Sequence, residues 1–183
     1  VVRNFFLQKD NPDFATARLL IDKMIESQPK NNALKTLQQT VRNHTPIAHN
    51  SSVPKFAAYD INGKQVNNAM LAKADTAVVV AWATWNYNSV SMLQTVAQIQ
   101  KEKGSNMKVL GVCLDYSRSL CRTALRQRAM DDVPTVCDGK AVDGDVYNRL
   151  GMSNLPDNLF IEKGKVTATG LTLEQLRKKL GKE

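Results

Sequence analysis

The stretch Ala77–Ile99, AVVVAWATWNYNSVSMLQTVAQI, changes period partway along. Ala77 to Ala83 is an unbroken apolar run bounded by polar residues, as expected of a strand buried on both faces of a sheet. From Ser89 to Lys103 the apolar residues recur at helical spacing, with Val90, Leu93, Val96 and Ala97 forming rows. Between them lie Trp85, Asn86, Tyr87, Asn88 and Ser89. A strand that feeds directly into a helix N-terminus presents unpaired N–H groups and the positive end of the helix dipole, a setting suited to chemistry or to docking.

The rest of the chain reads outward from this junction. Met107 to Asp115 is a second central strand, Ser119 to Met130 a helix, Val133 to Cys137 a short strand and Gly144 to Leu150 a short helix. Asn158 to Ile161 and Lys165 to Thr169 form a hairpin across Lys163-Gly164. A last helix opens on Thr172 and Gln175 in capping-box register. Upstream, PKFAAYDINGKQV is a hairpin turned by Asn62-Gly63. The pattern predicts an α/β fold, a central mixed sheet with helices on both faces.

The first 50 residues differ. Asn11-Pro12 has the pattern of a helix start, with Phe14, Ala17, Ile21, Met24 and Ile25 along one face. After Pro29 a second helix runs from Asn32 to Arg42, aligned through Leu34, Leu37 and Val41. This predicts an N-terminal helical hairpin and a polar linker, His44 to Pro54, leading into a domain over residues 51–183. His44 and His49 lie in that linker without neighbouring carboxylates or thiols, so they read as loop residues rather than metal ligands.

With 183 residues, 43% hydrophobic and 23% charged, the chain can bury a full core without disulfides or a structural metal. No apolar stretch reaches the ~20 residues of a membrane span. The opening Val1-Val2 is expected of a processed or trimmed product, and any signal or anchor would lie outside this sequence. The net charge of +8 concentrates in RSLCRTALRQR, where Arg118, Arg122 and Arg126 recur every fourth residue. No reader motif or interleaved aromatic accompanies them, so nucleic-acid binding is not expected; the stripe reads either as a surface for phosphate or an acidic protein or as a solvated helix face. Arg177, Lys178 and Lys179 complement the last helix dipole.

The three cysteines, Cys113, Cys121 and Cys137, stand 8 and 16 residues apart, matching no zinc pattern and no Cys-x-x-Cys. Cys113 and Cys121 read as small buried hydrophobes. Cys137, at a strand end, is the most accessible of the three on this reading. No metal site and no cofactor are expected.

Four stretches in order carry a resemblance: WATW (82–85), VLGVCLD (109–115), PTVCDGKAVDGDVYNRLGMSNLPDNLFIEKGKV (134–166) and DINGK (60–64). Over about residues 53 to 183 the chain resembles the thioredoxin-like superfamily, in its TlpA/ResA-like branch near the alkyl hydroperoxide reductase/thiol-specific antioxidant group. That resemblance implies thiol–disulfide exchange by a Cys-x-x-Cys pair directly after the WATW-like segment. Here the position reads Asn86-Tyr87-Asn88-Ser89. Exchange needs a thiolate to attack a disulfide sulfur, and an amide cannot ionise to do so. The intervening Tyr87-Asn88 also departs from the family's Gly-Pro type, in the manner of a natural loss. Val80 stands where thioredoxins proper carry a buried acid.

The resemblance also aligns Pro156 with the family's cis-proline, making Leu155-Pro156, Trp85 and Tyr87 a candidate peptide-binding surface without a catalytic residue. The expected function is a redox-inactive module that binds protein or peptide, or supports a larger TlpA-like cell-envelope protein. Two other readings stand beside it: a thiol oxidoreductase or peroxidase using Cys137, and a scaffold in which Trp85 and Pro156 merely pack the junction with Ser89 as the helix cap. Periplasmic or envelope localisation is implied by the resemblance alone.

Overall fold

The structure, a computed structural model, describes residues 14–43 and 47–182. The expected Asn11-Pro12 helix start and His44 lie outside the described residues. The chain forms two compact units that divide before Ile47. In the first, α1 (Phe14–Ser27) and α2 (Asn32–Asn43) share a small core of Ala17, Ile21 and Val41, with Ile25 and Leu37 packed against it. Met24, expected on the same face, is exposed.

The second unit is built on β4 (Thr76–Trp82), whose residues Ala77 to Trp82 are fully buried. Strand alternation sends Val78, Val80 and Trp82 to one face and Ala77, Val79 and Ala81 to the other. The first set packs with Val90, Leu93 and Val96 of α4 (Tyr87–Lys103), Cys121 and Leu125 of α5 (Arg118–Gln127), and Leu176 of α7 (Leu173–Lys179). The second packs with Leu71 of α3 (Asn68–Ala72) and Val146, Tyr147 and Leu150 in and just after α6 (Asp145–Arg149).

The six-stranded sheet has the order β1-β8-β7-β4-β5-β6, with β1 Ser51–Ser52, β5 Met107–Cys113, β6 Thr135–Val136, β7 Asp157–Glu162 and β8 Lys165–Thr169. β4 pairs parallel with β5 and antiparallel with β7, so the sheet is mixed as expected. Gly63 (φ 83°) turns the separate hairpin of β2 (Ala57–Tyr59) and β3 (Gln65–Asn67), as the Asn-Gly pair predicts. The Ile61 N–H donates to Thr135 O at 2.7 Å, tying that hairpin to β6.

Three expectations are corrected. The stretch read as linker contains β1, which pairs with β8 through Ser51 and Ser52. Residues 68–72 form a helix that was not expected, capped by Asn67, whose side chain accepts from Met70 N–H at 3.1 Å. The arginine stripe is not simply a solvated face: Arg118 and Arg122 donate to the carbonyls of Asp60 and Ile61, at 3.4 and 2.5 Å, and hold the hairpin turn.

Gly111, in β5, lies where Thr135 and the Trp82 indole meet. A Cβ there would sit 2.7 Å from Thr135 Oγ1 and 3.1 Å from Trp82 Nε1. Both neighbours are fully buried and have little room to yield. Gly111→Ala is therefore expected to lower unfolding stability by about 1–3 kcal/mol in chemical denaturation.

Candidate functional site

The junction after β4 is closed by hydrogen bonds that depart from the scaffold reading, in which Ser89 caps the helix. Asn86, not Ser89, is the N-cap of α4: its backbone is extended (φ −111°, ψ 100°) and its Oδ1 accepts from Ser89 N–H at 2.8 Å. The short amide side chain suits this position because it reaches the free N–H of the first turn without leaving the backbone. Ser89 is inside the helix and fully buried. Its hydroxyl donates to Asn86 O at 2.8 Å and accepts from Ala83 N–H at 3.1 Å, bridging the strand end to the helix start. Neither group is placed for nucleophilic attack. Asn86 Oδ1 is occupied as a cap, and the Ser89 oxygen has no access to solvent.

The two positions that resemble the family's cysteine pair thus serve local structure. Tyr87 and Asn88 between them point outward, with Tyr87 82% exposed. Trp85, 70% exposed, precedes the cap. Opposite, the Leu155-Pro156 bond is cis. Asn86 Nδ2 donates to Leu155 O at 3.4 Å, so the cap residue also joins the proline loop to the helix. That loop is held from below. The Asp157 carboxylate accepts from the Ser153, Asn154 and Asn158 N–H groups at 2.8, 3.4 and 2.8 Å, while burial pushes its pKa above the ordinary aspartate value. Asn158 in turn exchanges hydrogen bonds with the backbone of Leu171. The structure therefore brings Asn86 and Leu155-Pro156 together and leaves Trp85 and Tyr87 as exposed aromatics beside them.

Sequence reasoning missed the third side of this surface. Parallel pairing of β4 and β5 sets Trp82 opposite Cys113, so the loops leaving both strands emerge together. The Asp115 carboxylate accepts from Thr84 N–H at 3.0 Å and Thr84 Oγ1 at 2.9 Å, locking the loops to each other. Tyr116, the next residue, is 80% exposed. The available signal was an aromatic directly after the Leu-Asp that ends the second central strand.

The cysteines depart from expectation in a different way. Cys137 is 2% exposed, not the accessible thiol its strand-end position implied, because it joins the core cluster that holds Cys121, Ala124 and Leu125 of α5. Although far apart in sequence, Cys113, Cys121 and Cys137 converge, with their sulfurs all within 4.8 Å of one another. Hydrogen bonds from Cys113 and Cys121 hold the Cys137 thiol below the usual range. The contacts with Cys121 and Cys137, and burial, push Cys113 above it. His49 is exposed in a turn, as expected of a loop residue.

No family model and no curated relative matches the chain. Solved structures do. A thiol-disulfide oxidoreductase from Bacteroides fragilis is 23% identical, covering 72% of this chain and 98% of that one at a TM-score of 0.62. The thioredoxin domain of a thiol-disulfide oxidoreductase from Bacteroides vulgatus is 18% identical, covering 74% and 96% at 0.62. A thiol:disulfide interchange protein of the thioredoxin family from Chlorobium tepidum is 16% identical, covering 73% and 96% at 0.59. These likenesses, together with the strand order and the cis-proline loop facing the β4–α4 junction, show that this chain carries a thioredoxin-like fold.

Proposed function

We propose that the domain is a redox-inactive thioredoxin-like module that binds an extended segment of a partner protein. The observation that carries this reading is the use made of the two positions resembling the cysteine pair. Asn86 caps α4 and Ser89 is buried as a bridge to Ala83, while three aromatic side chains stand exposed around them. Exposed Trp and Tyr supply large contact area at small entropic cost and are enriched where proteins meet. Main-chain groups beside a proline loop offer hydrogen bonds to an extended chain without requiring a particular side chain.

The reading in which Cys137 acts as a redox thiol is disfavoured by its burial. The resemblance to TlpA-like proteins further supports placing the module in the cell envelope. No helix among the described residues is long and apolar enough to cross a membrane.

Two experiments test this reading. In an assay with dithiothreitol recycling, the wild-type chain is expected to reduce a disulfide substrate no faster than buffer. The double variant Asn86→Cys/Ser89→Cys is expected to gain turnover, because a thiol at the helix start is acidified by the free N–H groups and the dipole. Turnover by the wild-type protein at rates matching that variant sinks the proposal. In selection from a library of unstructured peptides, wild-type protein should enrich binders. Trp85→Ala and Tyr87→Ala should each weaken the selected peptide roughly tenfold or more, as expected for aromatic anchors. Enrichment of no peptide above a blank surface counts against a binding role.

A further inference from the structure

A second constellation lies apart from the exposed aromatics and meets their surface only through Asp115. Cys113 ends β5, Cys121 sits on α5 and Cys137 follows β6. Each is 2% exposed or less, and their sulfurs lie within 4.8 Å of one another. A fourth donor adjoins them. The Asp115 carboxylate, 4% exposed, has its Oδ2 3.2 Å from Cys113 Sγ.

The sulfur–sulfur separations approach those of a tetrahedral zinc centre. Zn–S bonds of about 2.3 Å and Zn–O bonds of about 2.0–2.2 Å set S···S edges of about 3.8 Å and S···O edges of about 3.5 Å. The sulfurs need to contract by about an ångström at most, while the Asp115 carboxylate, which adjoins Cys113 but does not lie within 4.8 Å of all three sulfurs, has to turn inward to complete the set. We propose that the three converging thiols of Cys113, Cys121 and Cys137 bind zinc, with the Asp115 carboxylate turning inward from Cys113 as the fourth ligand of a closed site.

Three further features fit this assignment. Thr84 donates its N–H and its hydroxyl to Asp115, which is the support that orients a ligating carboxylate. Each donor comes from a different part of the sheet's end: the close of β5, the loop after it, α5, and the segment after β6. The cation would therefore cross-link elements that only the folded chain brings together, as structural zinc does. Arg118 supplies positive charge near Cys137, partly offsetting four anionic donors around a divalent ion. Burial leaves no open coordination position, so the ion would have a structural role rather than a catalytic one. By fixing Asp115, it would also fix Thr84 and the loop that presents Trp85.

The test uses the full chain, refolded under reducing conditions with and without metal. Zinc is expected to bind at one ion per chain, raise the thermal midpoint and slow alkylation of all three thiols beyond the protection that burial gives the metal-free chain. Cobalt(II) should give the intense visible bands of a tetrahedral thiolate complex with sulfur-to-cobalt charge transfer. Asp115→Asn should keep the fold and weaken zinc by roughly 10–100-fold. Cys121→Ser should lose the cobalt charge-transfer intensity of one sulfur. If a cysteine variant fails to fold, alkylation protection and the midpoint shift in the wild-type chain decide the matter alone. The proposal is overturned by a folded wild-type chain that retains no zinc, by weak octahedral-type cobalt bands, by uptake of copper(I) but not zinc, or by a disulfide forming within the cluster under air while zinc fails to prevent it.

Discussion

Between Ala77 and Trp82 no side chain of β4 reaches water, and its backbone is hydrogen-bonded to a strand on either side. A segment desolvated on both faces must have every N–H and C=O paired, since an unmet buried amide costs about 1–3 kcal/mol. That requirement fixes β5 on one side and β7 on the other. The alternation of Val78, Val80 and Trp82 with Ala77, Val79 and Ala81 then assigns the larger side chains to the α4/α5/α7 layer and the smaller ones to the α3/α6 layer. The junction at Trp85–Ser89 exists where it does because the strand ends in the middle of the sheet, with a parallel neighbour ending beside it.

At that junction the same geometry can serve two chemistries, and side-chain type decides between them. First-turn N–H groups lower the pKa of a thiol placed there, and they equally welcome a neutral oxygen as a cap. Asn86 takes the second role. Ser89 is buried, and its hydroxyl is taken up by Ala83 and Asn86. The fold's organisation around the cis-proline loop is kept, through Asn86 to Leu155, with an amide doing the joining.

Much of this could be read from the residues. The apolar run of β4, the helical rows of α4, the Asn62-Gly63 turn and the Thr172–Gln175 capping box each follow from period or local chemistry, and each forms. What escaped depends on partners remote in sequence. β1 is two residues long and is a strand only because β8 lies beside it. Ser89 and Asn86 are both good caps by composition, and the backbone path, invisible in the sequence, chose Asn86. Cys137 was expected at an accessible strand end, but the cover comes from elements distant along the chain. The convergence of the three thiols has no spacing signature because they sit on or beside three different elements, β5, α5 and β6, that only the fold brings together. Exposed Tyr116 gained its importance only from the parallel alignment of two strand ends.

The margins of the sheet carry a last implication. One side is finished by two residues of β1, the other by two residues of β6, and β6 is itself bonded from outside by the Ile61 amide. Neither border offers a long row of vacant main-chain groups, so lateral self-association into extended ladders has little to template on. By the same geometry, a visiting polypeptide finds no rail along either flank. On the binding proposed above, such a segment would meet the tips of the central strands, crosswise to them, and so touch only a few residues.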